Sequence, residues 1–443
     1  MAKKDIGTYA GLWETQIFKK RSKSSSKVTT VLHGSYMKIL DDSYKNWYKV
    51  KTFGLTGWVP IKDTRKDEGF KAFFIDVGQG DSCLIEIPDK ALLIDGGRNS
   101  NVHRYLTKWK YRWLLDKGYD VEMDAIVVSH FDFDHFGGLT SLIKHPRFKI
   151  GTIYHNGIAR FKRSQKDRPA KYDEQLGTTD AKGKPRIKPT ILKTSFSTIN
   201  DAKKLLEEDK RNHCLMPKFR DFLKAVVEAK NQNRLKKLER LTIDEKDLNK
   251  KFKYLTGFTS KNKLQIEVIG PVVKGKGKNL KYNWFEDYSH TVNGNSVVVV
   301  VRYKDIELLL GGDLNIPSEN HLIESYKPKN PFRVDVAKAC HHGASEFTIE
   351  FMKKVSPYAT VISSGDNESY AHPRADSLGC AGRYSRGNRP KVFSTELARS
   401  YKSPDEIHYG LINMRSDGNN ALLAQMFEAK RVKDMWDSYK IKR

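Results

Sequence analysis

The chain has 443 residues, 38% of them apolar and 11% aromatic, which excludes a globally disordered protein and leaves room for more than one domain. Lys and Arg number 80 against 53 Asp and Glu, and the net charge of +27 argues for a polyanionic partner such as nucleic acid.

The N-terminal "MAKKDIGTYAGLWETQIFKKR" lacks the apolar core of a secretory signal. No stretch reaches the roughly 18 consecutive apolar residues of a spanning helix. A soluble cytoplasmic protein with no membrane partner is therefore expected. The next runs, within "KVTTVLHGSYMKILDDSYKNWYKVKTFGLTGWVP", are short β-type segments broken by turns at Gly34, at Asp41 and Asp42, and at Gly54 and Gly57, the pattern of a small barrel.

From residue 70, "FKAFFIDVGQGDSCLIEI" and "KALLIDGG" read as apolar strands with glycine turns, "VHRYLTKWKYRWLLDKG" as a helix, "AIVVSH" as a buried strand and "GGLTSLIKH" as a helix again. That alternation predicts an α/β core. Residues 157–262 read as an insertion with 28 Lys and Arg against 14 Asp and Glu, a net +14. Within it, "STINDAKKLLEEDK" through "LKAVVEAKNQNRLKKLERL" is expected to be helical and "GTTDAKGKPRIKPT" to be a mobile loop. Strands return at "LQIEVIGPV", "NSVVVVVRY", "IELLLGGD", "VDVAKACHHGAS" and "YATVISSG". Cys83, Cys214, Cys340 and Cys380 form no CxxC pair and are expected to be reduced thiols.

The chemistry concentrates in "AIVVSHFDFDHFGGLTSLI", where a buried run gives way to His130, Asp132, Asp134 and His135. Imidazole and carboxylate together suit Zn, Mn or Fe(II), and a loop directly after a strand holds ligands at fixed angles. Phe131 and Phe133 alternate with the polar residues, so their rings can pack elsewhere. Two more strand ends carry such groups, Asp313 in "LLLGGDLN" and His341 and His342 in "ACHHGAS". α/β proteins place their sites at such edges. Asp76, Gln79 and Asp81 in "DVGQGD", with Asp95, are expected to support turns and orient ligands rather than bind metal. His155 is expected to be a core or rim histidine.

Residues 5–65 resemble a bacterial SH3 domain, carried by "KVTTVLHGSYMKIL", "NWYKVK" and "GLTGWVP" with Trp47, Tyr48, Gly57 and Trp58. The resemblance implies a binding module for a peptide, a glycan or a protein partner's surface; the alternative reading is that Trp47 and Trp58 fill the barrel core. Residues 70–425, apart from the insertion, resemble the metallo-β-lactamase superfamily and within it the hydrolase domain of the ComEC competence proteins. "FIDVGQGDS", "LLIDGG", "SHFDFDHFGG", "IEVIGP", "NGNSVVVVV", "LLLGGDL", "ACHHGAS" and "AHPRADSL" occur in that family's order.

The resemblance implies an αββα sandwich over residues 67–443, behind a small SH3-like β-barrel in residues 1–66. It also implies two divalent ions, Mn or Zn with Mg as a further candidate. His130 and Asp132 would bind one ion and Asp134 and His135 the other. Asp313 would bridge them, and His342, or in its place His341, would complete the set. Asp132 stands where the commoner signature has His, which makes the site harder and tilts it toward Mn or Mg. The usual histidine of the third motif is missing; Asn295, or less readily His290, is expected near its place. His372 in "YAHP" is expected to contact phosphate or protonate a leaving group. The function so implied is a phosphodiester hydrolase, a nuclease favouring DNA, with Asp134, Asp313 and His372 at the chemistry. The alternatives are hydrolysis of a small substrate, such as a cyclic nucleotide or lactone, and a nucleic-acid-binding scaffold.

Overall fold

Alternating buried and exposed residues in the first sixty positions pair into one antiparallel sheet. Its seven strands lie in the order Lys27–Leu32, Glu14–Phe18, Leu55–Pro60, Trp47–Thr52, Tyr36–Tyr44, Gly7–Ala10 and Thr64–Arg65. Ala10, Ile17, Val31, Met37, Val50 and Val59 form its core. Trp47 and Trp58 are half-buried outside that core, edge-on to Phe18 and Tyr44 respectively. The computed structural model describes residues 6–162, 175–181, 188–248, 250, 252–365, 369–396, 411–426 and 436–441.

The rest of the chain builds two larger sheets. The first runs Leu235–Arg240, Phe148–His155, Val121–Val128, Lys90–Ile94, Cys83–Ile87, Phe70–Phe74, Ile412–Ser416, Ala421–Met426 and Trp436–Ile441. The second runs Lys253–Tyr254, Leu264–Gly270, Val298–Tyr303, Ile306–Leu310, Val336–Lys338, Ala359–Ile362 and Lys391–Ser394. The two sheets pack face to face, because successive side chains on a strand point to opposite faces and here both faces are apolar. Ala125 and Val127 meet Val299 and Val301 in the core between the sheets. Ile126 and Val128 point the other way, onto helix Phe133–Lys144 and helix Pro217–Asn231. Val298 and Val300 likewise face helix Ile316–Tyr326 on the far side of the second sheet. The layers are therefore helix, sheet, sheet, helix, as expected. Among the described residues no helix is long and apolar enough to cross a membrane.

The expected insertion is in large part core. Helices Ile199–Asn212 and Pro217–Asn231 form where helices were expected, the first opened by a Thr198–Asp201 capping box. "LKKLER" is a strand, however, not a helical continuation: Leu235–Arg240 pairs in parallel with Phe148–His155 and extends the first sheet. Leu235 and Leu238 are buried against the helical layer, and that packing outweighs the helix propensity of the surrounding Lys and Arg. In "GTTDAKGKPRIKPT", Thr179 bridges to Leu192; residues 182–187 of that stretch lie outside the described residues. In "FKYLTGF" the aromatics divide, with Phe258 buried and Phe252 exposed.

Candidate metal centre

Val128 ends its strand at the edge of the first sheet, and the chain turns through Ser129, His130, Phe131 and Asp132 into helix Phe133–Lys144. Phe131 anchors the turn. Its ring is buried and lies 4.9 Å from Phe219, 5.4 Å from Phe222 and 5.8 Å from Phe196, all from the segment expected to be an insertion. Gly80 lets the "DVGQGD" loop close onto the same turn: its φ is +125°, and a Cβ there would collide with the Asp134 carbonyl.

Asp81, His135, Asp313 and His342 converge, one donor atom from each lying within 4.8 Å of the others. Asp313 Oδ2 is 3.2 Å from His135 Nε2, 3.2 Å from His342 Nε2 and 3.9 Å from His341 Nε2. His342 Nε2 is 3.6 Å from Asp134 Oδ2, and its Nδ1 is 3.2 Å from Asp81 Oδ1. His341 and His342 both have positive φ, 49° and 56°, a strained pairing for non-glycine residues that turns both rings toward Asp313.

The second sphere fixes the rings. Asp95 accepts from the Ser129 N–H at 2.7 Å and from its hydroxyl at 2.6 Å, and its Oδ2 lies 2.9 Å from His135 Nδ1. His342 Nδ1 is held at 3.0 Å by the Ser363 carbonyl. Carboxylate and carbonyl partners on the far nitrogen are what orient a ligating imidazole. Lys338, buried, pairs with Asp81, sits 3.8 Å from Asp313 Oδ1 and donates to the Gly312 carbonyl at 3.1 Å.

Burial disfavours charge on each of these groups, and at His342 and Asp313 the neighbours override it. Burial works against an imidazolium at His342, but Asp313 and Asp81 lift its pKa to about 10. Burial likewise opposes a charged Asp313, yet His135 and His342 hold its carboxyl well below the usual range. At His130, burial first and then His135 outweigh the pull of Asp313 and Asp132 and push it down to about 3.

The residues fit a divalent cation. Asp81 Oδ1, His130 Nε2, His135 Nε2, Asp313 Oδ1 and His342 Nε2 are all buried without a hydrogen-bond partner. Orphaned buried donors and acceptors of this kind are costly unless something binds them, and imidazole with carboxylate is a ligand set for Zn, Mn or Fe(II).

Several expected roles change. Asp81 is part of the cluster rather than a turn support; its position two residues before strand Cys83–Ile87 carries the carboxylate inward. Asp132 precedes the helix without capping it, and its Oδ1 is held by Arg160, while Oδ2 lies 3.8 Å from His130 Nε2. Asn295 does not line the site: its amide donates to the carbonyls of Asn283 and Thr291. The neighbouring Ser296 Oγ lies 3.3 Å from His130 Nδ1, the ring nitrogen opposite the unpartnered Nε2, and Asn293 Nδ2 is 3.5 Å from His341 Nε2. His290 pairs with Asp287 at 2.9 Å, and its Nε2 lies 3.7 Å from Glu346, which also neighbours His341 Nδ1 at 3.7 Å. His155 stacks on Phe196 inside the core. His372 is half-buried beside His341 and His342, with Nδ1 3.5 Å from Gln79 Nε2. Sequence reasoning missed Arg160 and Lys338. Both lie in apolar surroundings where a lone cation signals a buried carboxylate partner.

Residues 75–207 match the model of the Metallo-beta-lactamase superfamily, and residues 14–63 match that of the bacterial SH3 domain. No curated protein matches the chain. Similar solved structures include a protein from Parabacteroides distasonis described as a metal-dependent hydrolase, at 11% identity over 73% of this chain and 92% of that one, with a TM-score of 0.33. A diphosphatase of the PhnP family is 12% identical over 72% of this chain and 94% of that one, with a TM-score of 0.30. A long form of RNase Z from yeast is 8% identical over 70% of this chain and 39% of that one, with a TM-score of 0.35.

Proposed function

We propose that this chain, whose residues 75–207 carry a metallo-beta-lactamase superfamily segment behind a bacterial SH3 domain, is a metal-dependent phosphodiester hydrolase that acts on nucleic acid, with DNA the favoured substrate. The observation that carries the metal-dependent chemistry is the set of five unpartnered buried atoms on Asp81, His130, His135, Asp313 and His342. The preference for a polyanion rests on charge. Arg160 lies against Asp132 at the site, and the exposed Lys218 stands 5.4 Å from the ring of Phe133 beside it. Lys203, Lys204, Lys210, Lys224, Lys236 and Lys237 add an exposed basic surface on the same segment.

Hydrolysis adds a water oxygen to phosphorus and breaks the opposite P–O bond, the departing oxygen taking a proton. Divalent ions held there would supply Lewis acidity toward the phosphoryl oxygen and lower the pKa of the attacking water. Asp81, Asp134, His135, Asp313 and His342 would hold one ion, and His130 with Asp132 would hold a second. Asp95 and Ser363 keep His135 and His342 turned inward. Burial, then His342 and His341, hold His372 down to about 4, so its neutral ring serves as a hydrogen-bond partner for phosphate. The ComEC-like order of motifs favours a nuclease within this class, and the SH3 domain would recruit a protein or peptide partner.

The test is incubation of end-labelled single- and double-stranded DNA with Mn, Mg, Zn or chelator, using wild type, Asp313→Ala and Asp134→Ala. Cleavage only by metal-loaded wild type supports the nuclease. Intact DNA with loaded metal transfers the proposal to a small substrate such as a cyclic nucleotide or lactone.

A further inference from the structure

The two halves of the site are built unequally. Around Asp313 Oδ2, four buried residues offer donors within 4.8 Å of one another. The half defined by His130 has less. Its one imidazole faces Asp132 through Nε2 at 3.8 Å, and the Ser296 hydroxyl lies at the other ring nitrogen and is committed to the Asn293 carbonyl at 2.7 Å. Asp132 is itself engaged, because the buried Arg160 guanidinium grips its other oxygen. Arg160 in turn is clamped by the Tyr288 hydroxyl and lies 4.9 Å over the Tyr288 ring, yet its Nε has no hydrogen-bond partner. A guanidinium with an unpartnered N–H beside the site is suited to donate to a phosphate oxygen.

We propose that Arg160 governs the second metal position: it competes with a cation for Asp132, so the chain holds one ion at the Asp313 cluster and takes up a second at His130 and Asp132 only when a phosphate ligand draws the guanidinium away. The inference rests on the metal-centred reading of the site. A dication and a guanidinium cannot both take full advantage of one carboxylate, since each repels the other at close range. Phosphate removes the conflict by giving Arg160 a second anion. The linkage is reciprocal, so the second ion tightens phosphate by the same factor that phosphate tightens the ion. The substrate thereby completes the site it uses, and the resting enzyme keeps only part of its catalytic charge.

The experiment is equilibrium dialysis of the full chain against Mn, with electron paramagnetic resonance to distinguish isolated from spin-coupled ions. It is run with and without low-millimolar inorganic phosphate on wild type, Arg160→Met and Asp132→Asn. Wild type is expected to bind one Mn without phosphate and two with it. Arg160→Met is expected to bind two in both conditions, its second site tightened roughly tenfold or more, the ordinary size of a coupling between two ligands. Asp132→Asn is expected to bind one in both. Two tightly bound ions in phosphate-free wild type would overturn the proposal, as would a second-site affinity unchanged in Arg160→Met. The wild-type arms decide it even if Arg160→Met fails to fold. No Mn bound to any variant would instead overturn the metal reading beneath it.

Discussion

Asp81 occupies a turn before strand Cys83–Ile87, yet its Oδ2 pairs with Lys338, while its Oδ1, 3.2 Å from His342 Nδ1, is buried without a hydrogen-bond partner. If that oxygen serves the ion, Asp81→Asn should weaken the tighter Mn site by roughly 10–100-fold, the usual size of effect for a supporting residue, or more for a ligand. Direct Mn titration checks this, and an unchanged affinity would return Asp81 to a purely structural role. Which carboxylates turned inward was only partly legible in the sequence. His130, Asp134, His135, Asp313 and His342 were visible because each follows an apolar run that ends at a sheet edge. Asp81 looked the same as Asp76, whose Oδ1 accepts the Gly78 N–H in the turn, because spacing does not say which way a loop side chain points. Asn295 was placed near the site from its motif, but helix Tyr288–Gly294 ends just before it and takes its amide for the Thr291 carbonyl.

Helix Ile316–Tyr326 follows Asp313 and begins with a capping box at Asn315 and Ser318. It carries one costly group: Glu319 is buried, with the Thr348 N–H as its hydrogen-bond donor at 2.5 Å. Burial raises its carboxyl to about 8. The native state therefore keeps a proton that the unfolded chain releases above its ordinary value near 4.5, so this contribution is complete below pH 4.5 and is lost as pH rises through 8. Glu319→Gln keeps the acceptor without the charge. It should gain on the order of 3 kcal/mol over wild type at pH 8 relative to pH 4.5, measured by urea unfolding at both values; parallel stability profiles would contradict this. Elements were otherwise legible where their period was strong, as in "NSVVVVVRY", whose valines divide between two cores. "LKKLER" was misjudged because its leucines at 235 and 238 suit a helix by spacing. Only the neighbouring strand Phe148–His155 decides for a sheet.

At the scale of the molecule, the SH3-like sheet is not a loose appendage. Leu32 and Trp13 pack with Leu422, Ala424 and Trp436 of the first large sheet, and Glu14 bonds Ser438. The sheet is therefore held against the outer strands of the hydrolase fold, so a partner bound to it would be kept at a fixed place relative to that sheet. The helix layer behind the metal turn comes from the basic segment, which thus both supports Phe131 and supplies the exposed lysines. Binding of duplex DNA through those lysines should fall roughly tenfold or more between 50 and 200 mM salt, because each neutralised phosphate releases counterions. A fluorescence-anisotropy titration indifferent to salt would favour a small substrate. The excess of basic residues in 157–262 was plain from the sequence. That the same residues brace the site was not, since no local pattern records what Phe219 and Phe222 touch.

The central claim is that the Asp313 cluster is a metal-centred site for breaking phosphodiester bonds. Its most direct test is hydrolysis of a bis-aryl phosphodiester by protein first stripped with chelator and then reloaded with Mn, beside Asp313→Ala and His342→Ala. Turnover that returns with metal in wild type and is lost by a factor of about 10² or more in both variants is the predicted result. Metal-loaded, folded wild type that leaves the phosphodiester untouched, or variants as active as wild type, would contradict it.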